Sequence, residues 1–507
     1  MVDWIAATFL VGHYVLLSVL CVFGLHRFYL TFGALRSYKK PHPTGQFQDL
    51  PHLTVQLPLY NEKYVAERLI DAAIALDYPR HLLQIQVLDD STDETRSLVA
   101  ESVAHYRSQG FDIEQVLRND RSGYKAGAMA YAFDAVKGDF IAVFDADFVP
   151  APDVLLKMIH HFTDPEIGMV QAQWDYLNRD RSLLTRTQGL MLDAHFGVEQ
   201  SARFARDVFF NFNGTAGLWR KTAIEQAGGW HADTITEDLD LSYRAQLLGW
   251  KFSYLRDVRC LSELPADMSA YKTQQHRWTK GGIEVMLKLW RQIWQAPIRL
   301  RTRLEASLHL ASNLTHLIIL IDCVAFLIPA VMLRQNILPY PPLWVDLVMF
   351  CFGGLSHLYF YLSAQRILGR SVIEHLLLVP MLMSVTIGLS RSNGTGILEA
   401  LTGHKSGFVR TPKLGAAQAT ESTKSGSYFS RISFSGDLVE CGLGGLYLFA
   451  SLWCIVNGVF LALPFLLMFT FGFLYTGTSS LRERLEQADT SGGLSNAEVK
   501  AEANCPS

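Results

Sequence analysis

Apolar runs long enough to cross a lipid bilayer lie on both sides of a central segment that has an ordinary soluble composition. Residues 4–25 form the first run, and 308–333, 343–364, 376–389 and 438–475 form the others. A helix needs about 20 apolar residues to cross the hydrocarbon core, where every backbone polar group must be paired internally. The 507 residues are 49% hydrophobic, more than one soluble core of this length requires. The pattern predicts a multi-pass membrane protein with one large domain outside the bilayer.

Positive charge follows the first apolar run instead of preceding it. Arg27, Arg36, Lys39 and Lys40 all lie after residue 25. A cleaved signal peptide carries its charge in front, and loops rich in Lys and Arg stay in the cytosol. We therefore expect residues 1–33 to be an uncleaved transmembrane anchor and residues 34–305 to be a cytosolic domain.

The later segments have their own predicted roles. Residues 306–370 should form two transmembrane helices, and 437–477 two more, giving five spans with the anchor. Residues 376–389 are short and contain Pro380, which favours an interfacial or re-entrant helix within 371–413. The Ser/Ala/Gly-rich segment 414–436 is typical of a linker, and 478–507 of a disordered cytosolic tail.

Charge and cysteine usage narrow the classes of partner. Lys and Arg total 45 against 48 Asp and Glu, with no basic block, which argues against nucleic acid as the main partner. The seven cysteines are scattered and have no metal-ligand spacing, as expected for a domain in a reducing cytosol.

The soluble segment alternates strand patterns with helix patterns. Short apolar runs at 53–57, 85–88, 113–117 and 140–144 are separated by helical patterns at 62–76, 92–108 and 124–136. That order predicts an α/β domain with a doubly wound, mostly parallel sheet. Such sheets bind ligands at the carboxyl ends of their strands.

Two of these strands end in acidic residues. Asp89 and Asp90 follow one strand, and Asp145 and Asp147 follow another. Residues two apart in an extended chain point to the same side, so Asp145 and Asp147 can converge on a cation such as Mg²⁺ or Mn²⁺. The alternative is that they are turn residues at a strand end.

Two small-residue stretches are candidates for a ligand loop. Lys125 lies in a Gly-Tyr-Lys-Ala-Gly-Ala run that opens a helix, where backbone N–H groups favour an anion such as phosphate; a plain helix start is the alternative. Residues 211–217 are small and polar, which suits close approach of a ligand or simply a tight turn.

Two more motifs have both a structural and a functional interpretation. Glu237 and Asp238 follow Thr236, which either caps a helix or introduces a functional carboxylate. Gln274, Arg277 and Trp278 form a Gln-x-x-Arg-Trp pattern before the second apolar run. It is either an interfacial anchor or a platform for a sugar ring, whose face an indole suits.

Together these motifs resemble a known family. The sequences VQLPLYNE, QVLDDSTD, YKAGA, FDADF, FNGTAG, TEDLDL and QQHRW occur in this order within about residues 50–415. They are similar to membrane-embedded, inverting family-2 glycosyltransferases of the cellulose-synthase superfamily. The motif sequences most resemble those of the cellulose-synthase-like mannan and glucomannan synthases of plants and their xyloglucan-backbone relatives. The resemblance implies a GT-A catalytic domain with a Rossmann-like sheet, a nucleotide-sugar donor and transmembrane helices.

The resemblance also implies roles for individual residues. Asp89 and Asp90 would contact the donor nucleoside, and Lys125 its phosphates. Asp145 and Asp147 would hold the diphosphate through the metal. Asp238 would be the general base, and the acceptor would contact Glu237, Gln274, Arg277 and Trp278.

A further stretch partly matches the gating loop of bacterial cellulose synthases. Residues 408–413 read Phe-Val-Arg-Thr-Pro-Lys, against the Phe-x-Val-Thr-x-Lys of that loop, with Arg410 in place of the valine. The resemblance implies that Thr411 and Lys413 contact the donor from the cytosolic side.

The leading functional prediction is a processive β-glycan synthase that polymerises hexose from GDP-mannose or UDP-glucose and moves the product across the membrane. The expected linkage is β-1,4. Its partners would be the donor, the growing glycan, the bilayer and accessory subunits that the sequence leaves unknown. The alternatives are transfer of one sugar to a membrane lipid and a non-catalytic sensing subunit. The expected location is a bacterial inner membrane, or a eukaryotic Golgi or plasma membrane.

Overall fold

The computed structural model describes residues 2–337, 343–404 and 434–502. Its first helix, α1 (Val2–Ser37), is apolar on all sides and leaves Trp4, Val11 and Val15 exposed. A helix without a polar face is typical of a segment surrounded by lipid. The predicted anchor therefore continues as one helix to the edge of the soluble domain.

A seven-stranded sheet forms the centre of the soluble domain, in the order β3-β2-β1-β4-β6-β5-β7. Its strands are β1 (Leu53–Leu59), β2 (Leu83–Asp89), β3 (Asp112–Val116), β4 (Phe140–Val143), β5 (Ile167–Tyr176), β6 (Gly217–Arg220) and β7 (Lys251–Ser262). β1 pairs in parallel with β2 and β4, and β2 pairs in parallel with β3. The predicted α/β class and its four parallel strands are confirmed.

The second half of the sheet was not predicted from the sequence. β6 runs antiparallel to both β4 and β5, while β5 and β7 pair in parallel. β6 has only four residues, too few to show a period, and it contains the Gly217-Leu218 pair directly after a small-residue loop. The antiparallel strand brings that loop to the carboxyl end of β4.

Helices cover both faces of the sheet. They are α2 (Ala66–Ile74), α3 (Thr95–Ser108), α4 (Tyr124–Ala132), α5 (Val154–Ile159), α6 (Leu183–Ala194), α7 (Ser201–Ala205), α8 (Lys221–Gln226), α9 (Glu237–Leu247) and α10 (Met268–Gln295). Alternate residues of β4 enter opposite cores: Phe140 and Ala142 pack in one, Ile141 and Val143 in the other. Burial on both faces is expected of a doubly wound sheet.

The remaining helices form the second half of the chain. They are α11 (Leu300–Ala311), α12 (Leu314–Ile321), α13 (Leu327–Ile337), α14 (Leu343–Phe350), α15 (Ser356–Ile367), α16 (Val372–Leu376), α17 (Leu378–Gly388), α18 (Ser390–Thr402), α19 (Phe434–Val456) and α20 (Leu463–Glu502). π-helical turns join α6 to α7 (His195–Gln200), α12 to α13 (Asp322–Phe326) and α14 to α15 (Cys351–Leu355).

Within the described ranges, four helices are long and apolar enough to cross a membrane: Trp4–Ser37, Leu314–Leu333, Trp344–Ile367 and Ser435–Val456. A fifth is possible if Val372–Gly388 and Ser390–Thr402, which meet at a bend of 47°, form one broken span. This bent pair contains the predicted interfacial or re-entrant helix. The other predicted span, within 437–477, corresponds to the start of α20, which is not one of the four. Five spans remain a prediction.

The segment after Thr478, for which a disordered tail is predicted, belongs to α20 in the described residues. α20 continues to Glu502, and residues just after Thr478 are tied to the rest of the protein. Arg484 Nε donates to Asp437 Oδ2 at 2.7 Å, and Glu483 accepts hydrogen bonds from the backbone of α10. These polar side chains have partners inside the protein, which composition alone does not reveal. Most of the predicted linker, 414–433, lies outside the described residues.

Candidate active site

One cleft collects most of the residues that the sequence singled out. It opens at the carboxyl ends of β1, β2 and β4 and is closed by the loop before β6 and by α9 and α10. The predicted residues that line it are Asp90, Lys125, Asp145, Asp147, Glu237, Asp238, Gln274, Arg277 and Trp278. Thr411 and Lys413 lie outside the described residues, so their predicted role stays a prediction.

The two acids at the end of β2 occupy different environments. Asp89 is 2% exposed, does not line the cleft and accepts hydrogen bonds from the Ser91 backbone and from Gln115. Asp90 faces the cleft and forms a two-point ion pair with Arg118, at 2.7 Å to Nε and 2.5 Å to Nη2. Asp89 therefore supports the strand end, whereas Asp90 faces the cleft, and the predicted contact of both residues with the nucleoside stays a prediction.

Lys125 lies in the first turn of α4, which Gly123 starts at a φ of 69° in the left-handed region. Its ammonium donates to Asp145 Oδ1 at 2.5 Å and to the Gly214 carbonyl at 2.8 Å. Burial lowers the pKa of Lys125, but the charges of Asp145 and Glu237 outweigh it and the net shift is upward. The lysine is therefore a cation held at the bottom of the cleft.

Asp238 is a buried carboxylate of the cleft whose pKa is strongly raised. Its Oδ1 accepts a hydrogen bond from the Leu239 backbone at 2.8 Å. Burial, followed by the charge of Glu237, raises the pKa of Asp238 to about 7. Thr236 makes no side-chain capping bond, so simple capping does not explain this motif. A carboxylate with a pKa near neutrality is suited to accept a proton.

Gly214 makes room for this carboxylate. It has a φ of 80°, and a Cβ at this position would lie 3.0 Å from Asp238 Oδ2 and 3.6 Å from Lys125 Nζ. Both the backbone angle and the space favour glycine here. The loop before β6 therefore brings its backbone next to the lysine and the carboxylate.

The Gln-x-x-Arg-Trp motif lies on one face of α10. Gln274, Arg277 and Trp278 are three and four residues apart, so they share a helix face, and all three line the cleft. Trp278 packs against Tyr176, Leu192 and Leu264 at its back. Burial lowers the pKa of Arg277 to about 10 despite the charge of Glu237. The indole is therefore part of the cleft wall.

Two groups of side chains could hold a cation. Asp145 and Asp147 line the cleft together and offer carboxylate oxygens, the ligands that Mg²⁺ and Mn²⁺ prefer. In the described part of the chain, His231, Asp233 and Asp240 also place ligand atoms within 4.8 Å of one another. That second group already contains the Lys288 ammonium, 2.7 Å from Asp233 Oδ1 and 2.9 Å from Asp240 Oδ1. Asp145 likewise accepts a hydrogen bond from the Lys125 ammonium, so the assignment of the cation to Asp145 and Asp147 stays a prediction that rests on their place in the cleft.

Several residues in or beside the cleft are not predicted from the sequence. Arg118 does not line the cleft but binds Asp90, which does, and its position after β3 was the available signal. Arg121 lies over the ring of Tyr60 at 3.3 Å, and both line the cleft. Asn213 also lines it, and His195 binds Asn213 from a helix far away in sequence. No local pattern could indicate that last contact.

The chain is similar to known glycosyltransferases. Residues 51–281 match the family model described as glycosyltransferase like family 2. Glucomannan 4-beta-mannosyltransferase 9 of Arabidopsis thaliana is 34% identical over 414 residues, which cover 79% of this chain and 75% of that protein. Probable glucomannan 4-beta-mannosyltransferase 3 of Oryza sativa subsp. japonica is 46% identical over 248 residues, covering 48% of this chain and 45% of the rice protein.

A solved structure shares the fold. The mannosyltransferase PcManGT from Pyrobaculum calidifontis, in complex with GDP-Man and Mn²⁺, aligns with a TM-score of 0.51 and 19% identity. The alignment covers 80% of this chain and all of that one. At this identity the likeness extends to the fold alone.

Proposed function

From the premise that this chain belongs to the cellulose-synthase-like glycosyltransferases of family 2, and is a hexosyltransferase that uses a nucleotide sugar, we propose a specific reaction. The protein transfers mannose from GDP-mannose to the end of a β-1,4-linked glycan and keeps the product for further rounds. Relatives named as glucomannan 4-beta-mannosyltransferases support mannose over glucose. The observation that carries the proposal is a proton-accepting carboxylate, a cation and an indole in one cleft.

Asp238 is proposed as the general base. The acceptor hydroxyl must lose a proton as its oxygen attacks the anomeric carbon, while the nucleoside diphosphate departs from the opposite face. A pKa raised to about 7 leaves about half of the Asp238 carboxyls ionised at neutral pH, and each carboxylate is basic enough to take that proton. Direct attack inverts the anomeric centre, so an α-linked donor gives a β-linked product.

Lys125 and the Asp145–Asp147 pair are proposed to hold the leaving diphosphate. Asp145 and Asp147 would bind Mg²⁺ or Mn²⁺, which when present stabilises charge on the diphosphate. Lys125 donates hydrogen bonds to Asp145 and to the Gly214 carbonyl. Its charge is therefore fixed beside the proposed diphosphate position before the donor binds. A charge positioned in advance needs little rearrangement in the transition state.

Processivity requires that the glycan stay bound after each transfer. Trp278 offers a flat apolar face, and Gln274 and Arg277 offer donors on the same side of α10. The same helix packs on α18 and α20 beside the candidate membrane helices. This arrangement supports retention of the glycan next to a route through the membrane.

The proposal is tested with the full chain in lipid nanodiscs, supplied with labelled GDP-mannose or UDP-glucose and Mn²⁺. Long chains that are degraded by an endo-β-1,4-mannanase are expected from GDP-mannose, even at low enzyme concentration. Trp278→Ala should shorten the product sharply, because the terminal ring loses its platform. Trp290→Ala, an exposed indole on the same helix outside the cleft, is the matched control.

Two results would contradict the proposal. Long chains from UDP-glucose alone would replace mannose with glucose. A product that carries one sugar and partitions into organic solvent would instead identify a lipid glycosyltransferase.

A further inference from the structure

A chain of polar contacts runs from the membrane anchor to the wall of the cleft. His26 of α1 contacts Glu305, and Glu305 accepts from Arg203, at 2.9 and 3.0 Å. Arg203 also donates to Glu199 at 3.3 Å. Glu199 in turn contacts His195 Nδ1 at 3.0 Å. Burial raises the pKa of Glu199, but Arg203 and His195 lower it by more, so the pKa lies well below its usual value. This series of contacts therefore places an ionised carboxylate beside His195.

His195 connects that carboxylate to Asn213. Its Nε2 lies 2.8 Å from Asn213 Oδ1. The π-helical turn that begins at His195 allows one face to present both His195 and Glu199 to these partners.

The neighbouring Asn211 fixes which way the Asn213 amide points. Asn211 Nδ2 donates to the Phe212 carbonyl at 3.1 Å and to Asn213 Oδ1 at 3.0 Å. Asn213 Oδ1 is thus an acceptor for two donors, one from Asn211 and one from His195.

This orientation leaves the other end of the amide available. Asn213 Nδ2 is buried and has no hydrogen-bond partner among the described residues, although the side chain lines the cleft. Its backbone is fixed by a hydrogen bond to Gln171 Oε1 at 3.1 Å, and it precedes Gly214, whose position is in contact with Asp238 Oδ2. Buried donors are rarely left unpaired, so a group in the cleft is the expected acceptor.

We propose that Asn213 Nδ2 donates a hydrogen bond to an oxygen of the acceptor sugar, and that His195 is the positioning residue that holds the amide in this orientation. The inference rests on the proposed function, because it takes Asp238 as the base and therefore places the attacking hydroxyl beside Gly214. The donor sugar nucleotide is held elsewhere, by the acids and the lysine. Asn213 and His195 should then affect acceptor use more than donor use.

The test measures two rates on the full chain in nanodiscs: transfer to a soluble β-1,4-manno-oligosaccharide, and hydrolysis of GDP-mannose without acceptor. Asn213→Ala should lower kcat/KM for the acceptor about tenfold, the usual loss for one hydrogen bond to a substrate, and leave hydrolysis near wild type. His195→Ala should give a similar loss. His195→Gln, which retains a donor for Asn213 Oδ1, should recover most of it.

The double variant separates positioning from a general structural effect. If His195 acts through Asn213, adding His195→Ala to Asn213→Ala should cost little more, so the losses are not additive. His105→Ala, an exposed histidine on α3, is the control and should match wild type. Additive losses, equal losses in transfer and hydrolysis, or an unchanged acceptor kcat/KM in Asn213→Ala would each overturn the proposal.

Failure of the proposed function has a different signature. A wild-type protein that ignores manno-oligosaccharides but transfers to another sugar acceptor refutes mannan synthesis. The same variants assayed on that acceptor still decide the role of Asn213.

Discussion

The raised pKa of Asp238 predicts an acid limit to activity that depends on its neighbour. A general base works only when ionised, so kcat/KM should be half of its plateau at a pH of about 7, approach the plateau about one unit above it and fall as the pH decreases below it. One unit below the pKa, about a tenth of the carboxylate is ionised, so kcat/KM at pH 6 should be about tenfold below the plateau.

The perturbation is Glu237→Gln. The charge of Glu237 is the second cause of the shift after burial, so removing it should move the acid limb to lower pH and reduce the loss at pH 6. The limb should not return to the range of an exposed aspartate, because burial of Asp238 remains. The plateau itself should fall, since Glu237 also faces Arg277 in the acceptor region.

The assay measures the initial rate of transfer from GDP-mannose between pH 5 and 9. Mn²⁺ is held at one saturating concentration so that the occupancy of the proposed metal site is constant. Glu225→Gln, an exposed acid on α8, should reproduce the wild-type profile. Asp238→Asn should lose about 10²- to 10⁴-fold relative to the wild-type plateau and should lack the acid limb that Asp238 causes. An acid limb that stays in place in Glu237→Gln, or Asp238→Asn with near wild-type turnover, would refute this account of the base.

Two other predictions concern the metal site and the buried ion pairs between Lys272 of α10 and the carboxylates of α19. Asp147→Asn, or excess EDTA on the wild type, should abolish transfer. Mn²⁺ with GDP should raise the melting temperature of the wild type but not of Asp147→Asn. The exposed Asp153→Asn is the control, and full transfer in EDTA contradicts the assignment. Lys272→Met should destabilise the protein by about 3 kcal/mol, because two fully buried carboxylates, Asp437 and Glu440, lose a charged partner. Unfolding in detergent, followed by tryptophan fluorescence, measures this against the exposed Lys157→Met, and equal midpoints would contradict it.

The sequence predicts those parts of the site that are encoded locally. Asp145 and Asp147 follow a strand with a clear period, and Gln274, Arg277 and Trp278 share a helix face by spacing alone. These residues do line one cleft. Their chemical roles stay predictions until they are tested.

Contacts between distant segments could not be predicted in this way. Asp89 and Asp90 are adjacent and chemically identical, yet Gln115 and the Ser91 backbone bind the first while Arg118 binds the second at the edge of the cleft. The antiparallel β6 was missed because four residues show no period. The polar start of the tail looked disordered because its partners, on α10 and α19, lie far away in sequence.

The hydrogen bonds from Met268 and Ser269 at the start of α10 to Glu483 have a consequence for how the protein is made. The carboxylate that satisfies these backbone donors is 215 residues downstream of Met268, on α20. A ribosome adds residues at about 5–20 per second, so α10 emerges well before its cap exists. During that interval the helix that carries Trp278 lacks both this cap and the partners of Lys272 on α19. A nascent chain should therefore be unable to retain a glycan until the last candidate membrane helices are in place, and synthesis of polymer would begin only after insertion is complete.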